Sequence, residues 1–304
     1  MGNLLLRLLV LLFCFVQSVK LSANSCCGQS PASFTVLNLE QRLSLNLGFA
    51  YLRSMGRALH SDEFLIWDGK TREIRSLNLN LASTLASRHQ VFLNSSLMQG
   101  YYAESNMTQT SNHLSDTLIG YNFELLPEYS YSRWRPLIYV SALINLPSGQ
   151  SSFEPIRLGE GGDVTGHNQW GGGVGLTLRK VYFPLTMTFQ ARTLYLFAKS
   201  FPSVQVSGFY DSSLALLANY DTSIWNLTLN TGLTLTHLSQ RRVEPAGETS
   251  DVGQNTTVLL GFQRPLTEQW VVGLNYSDQT LLGPARGGLV LNRGINLNFN
   301  YNYD

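Results

Sequence analysis

The chain has 304 residues, 44% of them hydrophobic and only 13% charged. The charged share is about half the roughly 25% of an average soluble domain. A chain this apolar is not a disordered tail, and its formal net charge of +1 provides no electrostatic footprint for nucleic acid.

The first residues read as an export signal. Arg7 and the α-amine supply positive charge, Leu8–Val16 form a short apolar core, and the small residues Ser18, Ser22, Ala23 and Ser25 follow. Leu4–Val16 is too short to span a bilayer comfortably. Cleavage after Ser25 divides the chain into a signal peptide (1–25), a short periplasmic segment (26–41) and the remainder (42–304). An uncleaved anchor or a surface helix is the competing reading. Cys14 falls in the signal, and the adjacent Cys26 and Cys27 have no other mature cysteine to pair with, so there is no internal disulfide framework. The small residues of "SANSC" raise lipid attachment at Cys26, although the leucine usual three positions earlier is missing.

From residue 42 onward, strand-like alternation recurs. "RLSLNLGFAYL" places Leu43, Leu45, Leu47, Phe49 and Tyr51 on one face, because successive strand side chains point to opposite sides. Leu77, Leu79, Leu81 and Leu85 repeat this opposite Asn78 and Asn80. Val91–Leu97, Thr117–Leu125 and Trp134–Ile144 follow, then Trp170–Leu178, Leu185–Tyr195, Tyr210–Tyr220, Trp225–Leu235, Val258–Phe262 and Trp270–Tyr276. The tail "GINLNFNYNYD" alternates Ile295, Leu297, Phe299, Tyr301 and Tyr303 with four asparagines. The pattern predicts about twelve strands.

Long connections near 53–73, 103–116, 147–168, 198–206, 239–254 and 278–288 alternate with short ones near 87–90, 127–133, 180–184, 221–224 and 265–268. That asymmetry belongs to an outer-membrane barrel, with short periplasmic turns and longer outer loops. Trp134, Trp225, Trp270, Tyr220 and Tyr303 collect at the short-turn end, and Tyr51, Trp170, Tyr195 and Tyr210 at the other, as two aromatic girdles. Trp67 falls in a loop. The predicted fold is all-β, a transmembrane antiparallel barrel whose tail must pair with "RLSLNLGFAYL", because lipid offers no partner to an open sheet edge.

The inward parity carries Ser44, Asn46, Asn78, Asn80, Asn122, Glu124, Gln190, Arg192, Asp211, Asn219, Asn226, Asn230 and the tail asparagines. Asn46, Asn122, Glu124, Gln190, Arg192, Asp211 and Asn230 are the candidates for lining or constricting the lumen. Arg192 and Asp211 flank one outer loop at nearly equal distances. Hairpin counting makes them neighbours, either a charged constriction that selects solutes or a pair that neutralises itself and fills space. Gly171, Gly173 and Gly175 point inward too, leaving room or allowing a bend. The loop "LPSGQSSFEPIRLGEGGDVTGHNQ" is placed to fold into the mouth or to cap the surface. Its glycines are not a phosphate loop, since no Gly-Lys-Ser/Thr follows.

"ALINLPSGQSSFEP" followed by "NQWGGGVGLTLRK" resembles the outer-membrane channels annotated around the phenol-degradation meta pathway, and the general look is similar to FadL-type transporters of hydrophobic compounds. The resemblance covers roughly residues 137–197. It implies a channel or transporter for small solutes, hydrophobic or aromatic ones among them, located in the cell outer membrane. The alternative is a closed structural or surface-interaction barrel, an adhesin or an envelope organiser. A lipid hydrolase stands third: His237 and Ser239 in "THLSQR" share outward parity near the rim, but Gln240 and Arg241 follow where the resembling phospholipase pattern has Asn-Gly, and no third residue is evident. No enzyme activity, cofactor or metal is expected, since His60, His89, His113 and His167 lack metal-ligand spacing. The expected partners are outer-membrane lipids and lipopolysaccharide, the barrel assembly machinery and a small solute.

Overall fold

A computed structural model describes residues 35–37, 41–58, 64–105, 107–127, 132, 134–154, 163–222, 224–245, 248–249, 252–282 and 289–303. The expected signal peptide, Cys26, Cys27, His60 and Asp304 lie outside them. Twelve strands form one closed antiparallel barrel. They are β1 (Leu43–Ala58), β2 (Lys70–Ala86), β3 (His89–Glu104), β4 (Thr117–Leu126), β5 (Leu137–Leu146) and β6 (Gly171–Tyr182), then β7 (Leu185–Leu196), β8 (Phe209–Asp221), β9 (Thr228–Leu238), β10 (Gly253–Pro265), β11 (Trp270–Asp278) and β12 (Val290–Tyr303). No helix occurs among the described residues.

Closure is made by the tail. Leu43 sits opposite Tyr303, Asn46 opposite Asn300 and Tyr51 opposite Ile295, and the pairing runs unbroken from Leu43 to Ser54 before a bulge between Ser54 and Gly56. The odd-numbered tail residues face outward: Ile295 is 52% exposed and Tyr303 49%, whereas Asn298 is 3% exposed inside the barrel. Exposed leucines and aromatics cover the rest of the outer wall, which is the inversion that a lipid solvent requires.

The turns at one end are tight, as between β2 and β3 or between β6 and β7, and the connections at the other end are long. The sequence underestimates three strands. β1, β2 and β3 continue past the apolar band and carry two added strands, Phe64–Ile66 on β1 and Met107–Leu114 on β3. A second, small sheet of Lys199–Ser200, Gln205–Val206, Arg242–Glu244 and Glu248–Thr249 joins two of the outer loops. Trp134, Trp170 and Trp225 lie just before their strands rather than in them. They still stand at the expected ends, and all are exposed.

One inward assignment is corrected. Asn226 is not on the lumen wall. It sits with Trp225 in the turn before β9, both with left-handed backbone (φ 51° and 56°), because a short hairpin connection needs residues that reverse the chain and an asparagine tolerates that conformation.

Candidate functional site: a vestibule above a filled lumen

The barrel interior has two storeys. The outer one is a cavity of about 440 Å³ whose lining comes from nearly the whole circumference. Asn78 and Asn80 of β2, Asn94 of β3, Asn145 of β5, Asn275 of β11 and Asn292 and Asn296 of β12 face it with their amides. Leu52, Met98, Leu118, Leu194 and Leu259 supply apolar surface between them. The wall alternates hydrogen-bonding amides, which both donate and accept, with aliphatic patches.

Large inward side chains are laid flat rather than pointed at the axis. Phe92 is opposite Gly120, Leu194 opposite Gly173, Leu217 opposite Gly232 and Leu52 opposite Gly294. A Cβ on any of these glycines would collide with the side chain lying over it. The room that Gly173 leaves is therefore taken by Leu194, and a leucine that would narrow the lumen instead covers the wall.

The loop between β5 and β6 folds into the mouth. Asp116, just before β4, holds it: the Asp116 carboxylate accepts from Gly149 N (2.9 Å), His167 N (2.6 Å) and Asn168 N (3.3 Å). Thr165 Oγ1 donates to the Leu114 carbonyl (2.6 Å), and Gln150 N donates to Thr165 Oγ1 (2.9 Å). Thr165, Gly166 and His167 thereby line the vestibule. The His167 ring meets Phe209 edge-on at 5.1 Å. Burial lowers the His167 pKa, against the opposing pull of Asp211 and Asp116. A neighbouring loop is tied in by Lys199, which donates to the Asn168 carbonyl (2.6 Å) and side chain (2.8 Å). Arg241 lies over the rings of Phe153 and Phe209.

Arg192 and Asp211 form an ion pair inside the vestibule, Nη2 to Oδ2 at 3.6 Å. They are diagonal neighbours, Arg192 opposite Ser213 and Asp211 opposite Leu194, which is within reach of an arginine on one face of a sheet.

The inner storey is filled. Thr35–Leu37, from the segment that the sequence places in the periplasm, lies against the inner wall. Leu37 is wholly buried and belongs to an apolar cluster with Ala82, Phe92, Leu118, Leu143 and Leu194. Its backbone is gripped at both ends by one side chain: Leu37 N donates to Gln90 Oε1 (2.9 Å), and Gln90 Nε2 donates to the Leu37 carbonyl (3.1 Å). Asn122 Nδ2 donates to the Thr35 carbonyl (3.0 Å) while its Oδ1 accepts from Ser141 (2.7 Å). Gln90 also donates to the Tyr139 hydroxyl (3.0 Å), which donates to Glu124 (3.1 Å).

Of the seven candidates, the structure brings only Arg192 and Asp211 to the vestibule. Asn122 and Glu124 belong to the seat of the N-terminal segment. Asn46 bonds to the Asn300 side chain and accepts from Asn80 (3.4 Å) in the closing seam. Gln190 donates to Thr177 (3.4 Å) and is buried, and Asn230 stands opposite Asn219 beside a small crevice. Gln90, Tyr139, Asp116 and His167 were not singled out as lumen residues by sequence. Parity marks Gln90 and Tyr139 as inward, but nothing in the sequence says what fills the space before them. His237 and Ser239 are not hydrogen-bonded to each other: Ser239 Oγ accepts from Tyr210 N (2.8 Å). Among the described residues, no group of histidine, cysteine or carboxylate side chains could hold a metal ion.

No family model matches the chain, and no curated protein matches it. Solved structures do. An outer membrane channel from Pseudomonas putida F1 aligns with TM-score 0.68 and 12% identity over 91% of this chain and 100% of that one. The translocator domain of the autotransporter NalP from Neisseria meningitidis follows at TM-score 0.46 and 11% identity, over 86% of this chain and 88% of that one. The transport unit of the autotransporter AIDA-I from Escherichia coli follows at 0.45 and 8%, over 88% and 93%. The first likeness shows the fold: a closed β-barrel of the outer-membrane type.

Proposed function

We propose that this barrel is a channel for small solutes that carry both an apolar body and a hydrogen-bonding group, hydroxylated aromatic compounds among them. The observation that carries this reading is the vestibule. Its amides can satisfy a hydroxyl or carbonyl, and the leucines between them can cover a ring or short chain. A purely polar solute leaves the leucines unused, and a pure hydrocarbon leaves the amides to water. Arg192 and Asp211 neutralise each other at this level, so the lining favours uncharged solutes. Passage further requires that Thr35–Leu37 leave its seat.

Single barrels in planar bilayers test the reading. Benzyl alcohol added on the loop side should interrupt the ion current more strongly than glucose or benzene at equal concentration. Equal effects of the three would remove the case for a solute site. A second reading, a closed surface-interaction barrel, draws on the filled inner storey and on the strands β1–β3 that extend beyond the apolar band. It predicts electrical silence, which persists when the grip on Leu37 is removed.

A further inference from the structure

We propose that the outward face of the closing seam is a binding site for a phosphorylated lipid headgroup, the lipid A part of lipopolysaccharide. The proposal rests on the outer-membrane location and is independent of the channel reading.

Three consecutive strands carry an arginine where the apolar outer band stops. On β1, Arg53 follows the outward row from Leu43 to Tyr51. On β12, Arg293 ends the row that runs back from Tyr303 to Ile295. On β2, Arg75 ends the row from Leu85 to Leu77. Each row is about ten residues, which at roughly 3.3 Å per residue and a tilt of about 40° spans about 25 Å, the height of the apolar band of such barrels. The arginines therefore stand at the level of the outer headgroups. Among the described residues, no outward lysine or arginine stands at this boundary on β3–β11.

Three arginines stand here against two carboxylates, Glu73 and Asp278. Arg53 is directly opposite Arg293 across the seam, and like charges in that position repel. Arg53 also has Glu73 opposite it on its other side, with Arg75 diagonal. Both carboxylates are held within the cluster, by Arg293 and Arg75 and not by an ion pair with Arg53. Asp278 binds Arg293 at 2.9 Å and accepts from Tyr276 (2.7 Å), and Glu73 lies 3.7 Å from Arg75. Arg53 is exposed and forms no ion pair among the described residues. Arg293 Nε and Nη2 donate to Thr280 (2.9 and 2.6 Å), so a phosphate bridging the seam would take its main charge-assisted hydrogen bond from Arg53 and offset the repulsion between the two arginines. Because the seam joins the first and last strands, such a bridge would also clamp the closure of the barrel.

Native mass spectrometry and thermal unfolding of the detergent-purified barrel test this, using bisphosphorylated lipid A, the same lipid dephosphorylated, and inorganic phosphate. The expected result is tighter binding of the phosphorylated lipid, a thermal midpoint raised by it, and no such rise with inorganic phosphate. Arg53→Gln should weaken phosphorylated lipid A binding by about fivefold, the contribution of one basic residue at an anionic surface. It should also lower the lipid-induced rise with little change in the lipid-free midpoint, since it removes both the repulsion from Arg293 and the attraction to Glu73. Arg242→Gln, a loop arginine away from the wall, should change neither. Equal binding of dephosphorylated lipid to the wild-type protein overturns the proposal without any variant. Wild-type affinity in Arg53→Gln overturns it as well, and a full midpoint rise with inorganic phosphate overturns the lipid assignment.

Discussion

Gln90→Ala should turn the filled lumen into a conducting one. The side chain makes two hydrogen bonds to the Leu37 backbone, at 2.9 and 3.1 Å, and a third to Tyr139 at 3.0 Å. At about 1 kcal/mol net for each bond to the segment, their loss weakens docking by about 2 kcal/mol, a shift of roughly 30-fold between seated and released forms. What remains is the wholly buried Leu37, worth about 2–3 kcal/mol, and the Asn122 bond to Thr35 (3.0 Å). The single variant should therefore open intermittently. Gln90→Ala combined with Leu37→Ala should stay open much longer, since it removes both the hydrogen bonds and most of the apolar anchor. Single-channel recording reads the open fraction directly, and the heat-induced gel shift of a folded barrel shows that closure is intact. If both variants are folded and conduct no more than the parent, Thr35–Leu37 is not what blocks the lumen.

Three further outcomes follow from the vestibule and its walls. Arg192→Gln leaves Asp211 without its partner at 3.6 Å and should move the reversal potential toward cation preference, while Asp211→Asn should move it toward anions; an unchanged potential in both would place the pair off the ion path. His167 is held below its usual pKa by burial. Its folded pKa is thus below the unfolded value of about 6.5, so its contribution to loop docking is complete above that pH and is lost as pH falls through the depressed value. Trp170 fluorescence should report this acid-driven change, and His167→Phe should abolish it. Gly120→Ala forces a Cβ into the Phe92 ring and should cost about 1–3 kcal/mol in urea unfolding; adding Phe92→Ala should cost less than the two changes summed, because the clash is removed.

Much of the fold was legible because a lipid solvent acts on every strand in the same way. Outward parity, girdle aromatics and the alternation of short and long connections each report that solvent directly, and the register Leu43–Tyr303 follows from closure. The site was less legible. Asn122 and Glu124 have Thr35 and Tyr139 as partners, and contact with three residues of a non-strand segment, Thr35–Leu37, leaves no periodic pattern to detect. Asn226 was misplaced because parity was counted through a turn, where it has no meaning. The seat of the outer loop depends on Asp116, a lone carboxylate at a strand start whose three backbone donors come from residues 149, 167 and 168. Sequence separation hides such a site.

The glycine pairs connect these two storeys. A barrel of twelve strands has limited inner width, and inward leucine and phenylalanine would close it at any level where they pointed at the axis. Leu52 lies over Gly294 in the vestibule wall, and Leu194 lies over Gly173 where the vestibule meets the Leu37 cluster. At the seat itself, Phe92 lies over Gly120 and offers its ring to the Leu37 cluster. The same device keeps the upper lumen wide and gives the lower lumen a flat apolar surface on which Thr35–Leu37 rests. On the channel reading the block is a separate piece of chain and not the wall, which is why a change in Gln90 or Leu37 should alter conductance while leaving the barrel's own stability nearly intact.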